Sequence, residues 1–73
     1  MRFLTARKRK WIVSYDLEID GTKIEDEERT ITALNAVEAV TVAMSEIYEV
    51  ASLQASNTAG IRCDIWDVCE VES

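Results

Sequence analysis

The sequence predicts an α+β fold: a single β-β-α-β domain in which a three-stranded antiparallel sheet, strand order 2-1-3, packs on one helix. Three observations predict it. Residues 10–20 alternate apolar and polar. Residues 36–52 carry an apolar stripe at helical spacing behind a cap. Residues 61–71 alternate again. The first two strands are joined by a turn short enough to make them antiparallel, and the third returns after the helix to lie beside the first.

In the first strand, Trp11, Val13, Tyr15, Leu17 and Ile19 alternate with Ile12, Ser14, Asp16, Glu18 and Asp20. This gives a strand over Lys10–Asp20 with one large apolar face. Asp20-Gly21-Thr22 is a hairpin signal, because Asp-Gly tolerates the positive φ of a tight turn. The returning strand is less regular. Ile24 and Ile31 have opposite parity, so one face holds both only across a bulge. Pairing is expected to resume near Arg29 and run to Ala33, with Ile31 and Ala33 inward. Glu25, Asp26, Glu27 and Glu28 then lie at the distal hairpin beside Asp16, Glu18 and Asp20.

The helix is expected over Ala36–Ser52. Asn35 can accept a hydrogen bond from a free N–H of its first turn. Glu38, three residues on, can reach back to the Asn35 backbone, as in a capping box. Ala36, Val40, Ala43, Ile47 and Val50 or Ala51 form the apolar stripe, widened by Val37, Met44 and Tyr48. The small Ala39 and Ala43 permit close approach to a sheet. Glu38, Thr41, Ser45, Glu46 and Glu49 take the wet side. Residues 52–60 form a polar loop.

In the last strand Ile61, Cys63, Ile65, Cys69 and Val71 share one parity. Arg62, Asp64, Trp66, Val68 and Glu70 share the other. Asp67 interrupts the apolar face. Trp66 and Val68 are therefore expected to point away from the helix, joined there by Ile12, either as ordinary exposed surface or as a protein-contact patch.

Seventy-three residues allow one domain, with a small core that buries about 60% of the unfolded surface. No apolar run approaches the roughly 20 residues of a membrane span. The opening Met1–Ala6 is too short and too weakly apolar for a signal peptide. Cys63 and Cys69 lie about 20 Å apart along one strand, beyond disulfide reach, so both are expected as reduced thiols in a cytosolic protein.

Charge is unevenly spread. The net charge is −6, yet Arg2, Arg7, Lys8, Arg9 and Lys10 are five of the eight basic residues. From Trp11 onward three basic residues face all fourteen acids, a net of −11. The expectation is a flexible basic arm over residues 1–9 on a strongly acidic domain over residues 10–73. The run Arg7–Lys10 reads either as a solvated tail or as an electrostatic contact with an acidic partner or nucleic acid.

Catalysis has little to stand on. There is no histidine, so neither cysteine has the usual base, and two thiols six apart fit no zinc spacing. No cofactor motif or glycine-rich phosphate loop is present. Residues 16–27 partly match a twelve-residue calcium loop, with Asp16, Asp20, Gly21 and Glu27 in place. Glu18 and Lys23 depart from that pattern and no helix precedes it, so an acidic hairpin is the expectation. The domain is read as a non-enzyme without cofactor or metal. Its acids oppose direct nucleic-acid binding, whereas a ridge of carboxylates can imitate a phosphate track.

Lys10-Trp11-Ile12-Val13, the run from Ile31 to Ala43 at the helix entry, and Gly60-Ile61 carry a resemblance over about residues 10–68. In these the chain resembles the small phage-encoded inhibitors of bacterial RNA polymerase of the T7 type. The resemblance implies a transcription regulator that binds host RNA polymerase and inhibits it without catalysis. Such inhibitors place basic contact residues on the final strand, where this chain has Asp64-Ile65-Trp66-Asp67. The contact is therefore expected at Arg7, Lys8, Arg9, Lys10 and Trp66, with Asp16, Glu18, Asp20 and Glu25–Glu28 facing the DNA channel. Two other readings remain open. One is an inhibitor of another nucleic-acid machine, such as a CRISPR complex. The other is a small assembly domain, monomeric or weakly dimeric.

Overall fold

The computed structural model describes residues 7–71. Its elements are β1 (Arg9–Ile19), β2 (Thr22–Ala33), α1 (Ala36–Ser52), a 3-10 turn (Thr58–Gly60) and β3 (Ile61–Glu70). The sheet is antiparallel in the order β2-β1-β3, with α1 on one face. The β-β-α-β topology and strand order are those the alternation predicts. Among the described residues no helix is long and apolar enough to cross a membrane.

β1 begins one residue earlier than its alternation suggests, at Arg9. Asp20 and Gly21 form the turn, with φ of 49° and 86°. Two positive φ values in a two-residue loop match the right-handed twist of the flanking strands. β2 does not wait until Arg29 to pair. It runs unbroken from Thr22, and the parity change between Ile24 and Ile31 is absorbed by the expected bulge. Tyr15 faces Glu27 and Leu17 faces Ile24, so Glu25 and Asp26 together oppose Asp16. Asp26 takes φ 57°, and its N–H donates to Asp16 Oδ1 at 3.0 Å.

α1 has the predicted bounds. Asn35 is extended and its side chain accepts the Glu38 N–H at 2.9 Å. Glu38 does not complete the box; its carboxylate lies 3.9 Å from Lys8 Nζ. The buried line is Ala39, Ala43, Ile47 and Ala51. Val37 and Val50, expected in or beside the stripe, are exposed. Three alanines along the closest approach let the helix lie low on the sheet, and this displaces the valines to its flanks.

The main core is Trp11, Val13, Tyr15, Ile31, Ala33, Ala39, Ala43 and Ile47. Trp11 Nε1 donates to the Ala33 carbonyl at 3.0 Å, which satisfies the indole inside the core. A second cluster, Ile19, Ala51 and Ile61, closes the hairpin end.

β3 corrects the sequence reading. Ser14 pairs Asp67 and Tyr15 pairs Ile65, so Trp66 is an extra residue and the parity of β3 changes there. Val68 opposes Val13 and packs against the core, whereas Cys69 opposes Ile12 and is exposed. Asp67 thereby leaves the helix side altogether. The expected patch of Trp66, Val68 and Ile12 does not form. Trp66 alone of the strand's large apolar side chains is exposed, at 58%.

Candidate functional site

Residues paired across a ladder share a face, so the register assigns the side chains of the open sheet face. β1 presents Lys10, Ile12, Ser14, Asp16 and Glu18. Opposite them β2 presents Thr32, Thr30, Glu28, the bulge and Lys23, and β3 presents Cys69, Asp67, Asp64 and Arg62. Ser14, 4% exposed, is flanked by Glu28 on one side and Asp67 on the other. Asp16, next along β1 on that face, is flanked by the Glu25–Asp26 bulge and by Asp64. The centre of the open face is thus a carboxylate field spread over all three strands.

The sequence anticipated the β1 and β2 members of this field and missed Asp64 and Asp67. Asp64 shared the outward parity of Arg62 in the sequence but was not counted with the hairpin acids, whereas the signal for Asp67 lay in the three-residue step from Ile65 to Val68. That step forces a parity change and turns Asp67 outward.

The other predicted acids separate. Glu18 lies between Lys23 and Arg62 across the ladder, and a hollow of about 130 Å³ there is lined by both cations with Asp16, Glu18 and Asp64. Lys23 Nζ is 3.9 Å from Glu25, and Arg62 Nε is 3.7 Å from Asp64. Glu27 sits opposite Tyr15, on the helix side but exposed. Asp20 turns away to the loop after α1. Its Oδ2 accepts the Ser56 N–H at 2.9 Å, its Oδ1 accepts the Ser56 hydroxyl at 3.1 Å, and its own N–H donates to the Gly60 carbonyl at 2.9 Å. Residues 16–27 are therefore two strands and a turn, and not a calcium loop. Among the described residues no three candidate ligands converge.

The basic run divides. The first six residues of the expected arm lie outside the described residues. Arg7 and Lys8 precede the sheet and are exposed. Arg9 belongs to β1 and is engaged: it meets Glu70 at 2.8 Å and donates to the Leu34 carbonyl at 3.3 Å. Its guanidinium also stands 5.1 Å above the Trp11 ring. Lys10 is exposed opposite Thr32. Trp11 and Glu70 are far from Arg9 in sequence or outside its run, which is why the run read as uniformly free.

Both cysteines are free thiols. Cys63 faces the core side, and burial, with Asp64 adding to it, pushes its pKa up. This opposes thiolate formation and nucleophilic use. Arg29 bridges sheet and helix at 2.9 Å from Glu46. Burial pulls its pKa down, but the hydrogen bonds to Glu46 and Tyr15 outweigh that and raise it.

No family model, no curated protein and no solved structure matches the chain.

Proposed function

We propose that the chain is a phage-type transcription regulator that binds host bacterial RNA polymerase and inhibits it sterically and electrostatically, without catalysis. The observation that carries this reading is the carboxylate field of Asp16, Glu28, Asp64 and Asp67 on one uncovered sheet face. Side chains on one face of a strand repeat every ~6.6 Å, and the neighbouring strand supplies a parallel row. At the Ser14 and Asp16 levels, where β2 and β3 both carry acids, two such rows approach the one charge per ~3.4 Å of axis that each DNA strand carries. A face of this kind disfavours promoter DNA in a basic channel. Arg7, Lys8 and Lys10, at the opposite end of β1 from the hairpin turn, supply the contact to an acidic polymerase surface.

The test is capture of purified RNA polymerase at low salt followed by abortive-initiation assays. Inhibition that disappears in a variant carrying Asp16→Asn, Glu28→Gln and Asp67→Asn, with folding intact, supports the reading. Failure to capture polymerase sinks it. The same double row of charge also suits a mimic directed at another nucleic-acid machine, such as a CRISPR complex. Competition with guide-matched DNA separates the two targets.

A further inference from the structure

The two edges of the sheet differ. On β2 the edge carries Glu25, Asp26, Glu27 and Glu28 in succession together with the Asp26 bulge. Consecutive like charges and a bulge deter an added strand. On β3 the outer edge has no partner strand among the described residues. Beside it lies an apolar groove of about 320 Å³ between sheet and helix, lined by Ala36, Val37, Val40, Thr41 and Val68. Val37 is 77% exposed at its rim, and Trp66 is exposed on the same strand.

The chemistry along this edge is two-sided. Toward the helix stand Ile65 and Val68 with the groove. Toward the open face stand Asp64 and Asp67. Asp64 already has Arg62, whereas Asp67 has no cationic partner among the described residues.

A second copy of this chain fits poorly. Antiparallel pairing of β3 with itself over its full length sets Asp64 opposite Asp67 twice, and like charges directly opposed destabilise a ladder. Each copy also brings a charge of −6.

We infer that the β3 edge takes an extended partner segment in which apolar and basic residues alternate. The segment adds as a fourth strand. Its backbone pairs with the free edge of β3, its apolar side chains enter the Val37–Val68 groove, and its basic side chains meet Asp67 and the carboxylate field. This rests on reading the chain as a partner-binding domain, and it names the edge and the chemistry of the segment that docks.

The test uses the whole chain and two synthetic ten-residue peptides of equal composition. In one, valine and lysine alternate; in the other they are segregated into two blocks. Fluorescence anisotropy is expected to give tighter binding of the alternating peptide by about tenfold or more. Amide exchange is expected to slow along β3 and not along β2. Val37→Glu and Asp67→Lys should each weaken the alternating peptide, and Val50→Glu, at an exposed site elsewhere on α1, should not. Equal binding of the two peptides overturns the inference, because attraction by net charge alone makes no such distinction. Protection on β2, or indifference to Val37→Glu, also overturns it. These readouts do not involve polymerase, so failure of the polymerase reading leaves them standing, and the reverse.

Discussion

Gly60 is the most informative single position for stability. A Cβ built there falls against Asp20 Oδ1, far inside van der Waals contact, and 3.4 Å from its Cγ. The obstructing group is the end of a side chain, so in Gly60→Ala the Asp20 carboxylate swings away and the backbone stays. The swing breaks its two bonds to Ser56, at 2.9 and 3.1 Å. The site is exposed, so the charge-assisted pair contributes about 1–3 kcal/mol. Replacing glycine by alanine returns about 0.4–1 kcal/mol by restricting the unfolded chain. The net loss then spans about 0–2.6 kcal/mol, and its central value of about 1.3 kcal/mol lowers Tm by about 5–10 °C in a domain of this size. Thermal and urea unfolding followed by circular dichroism measure it. The decisive comparison is the same substitution in an Asp20→Gly background, which keeps the positive φ of the turn and removes the carboxylate. There Gly60→Ala should be neutral or slightly stabilising. An equal loss in both backgrounds would refute the clamp, because the cost would then lie in the Gly60 backbone itself.

Three further outcomes are expected. Ile47→Ala, at a side chain only 2% exposed, should cost about 2–5 kcal/mol in urea unfolding, a large share of a small domain's stability. Asn35→Ala should cost about 1 kcal/mol by freeing the Glu38 N–H that Asn35 caps at 2.9 Å, and Asn35→Ser should restore most of it. The raised Cys63 pKa sets a pH dependence of known sign. At pH well below the ordinary thiol value of 9.0 the thiol is protonated in both states and its full contribution is present. As pH rises past that value the unfolded chain ionises first, and stability is lost until the folded thiol ionises too. Wild type should therefore lose more stability than Cys63→Ser when pH is raised through 9.0; parallel profiles would remove burial of the thiol from the account.

Much of the fold was legible because it rests on short-range signals. Asn35 marks the helix start by a bond to its own first turn, and Asp20-Gly21 marks the hairpin by backbone conformation alone. The bulge in β2 was legible from Ile24 and Ile31, whose parities conflict. The equivalent bulge in β3 was hidden because Cys69 and Val71 resume the parity of Ile61, Cys63 and Ile65, so the alternation reads on past the extra residue. Asp67, placed against the helix by that reading, and Val68, placed away from it, signalled the error. The buried line of α1 was misjudged for another reason. Hydropathy ranks valine above alanine, but the distance between helix and sheet decides which side fits beneath. Within the candidate site, the β1 and β2 acids were legible from the hairpin. Asp64 already shared the outward parity of Arg62, Asp67 depended on the hidden bulge, and the engagement of Arg9 depended on Trp11 and on Glu70, which only the folded chain brings alongside.

The two bulges flank β1 at nearly the same level, one opposite Asp16 in β2 and one beside Ser14 and Tyr15 in β3. A purely alternating strand has a translational ambiguity: sliding by two residues returns every side chain to its own face. A bulge removes that ambiguity, because the surplus residue can be accommodated at one position only. With one such mark on each side, the central strand is indexed against both neighbours. A misaligned hairpin is thereby made unequal to the native one, in a chain whose hydrophobic pattern alone would have left several alignments nearly degenerate.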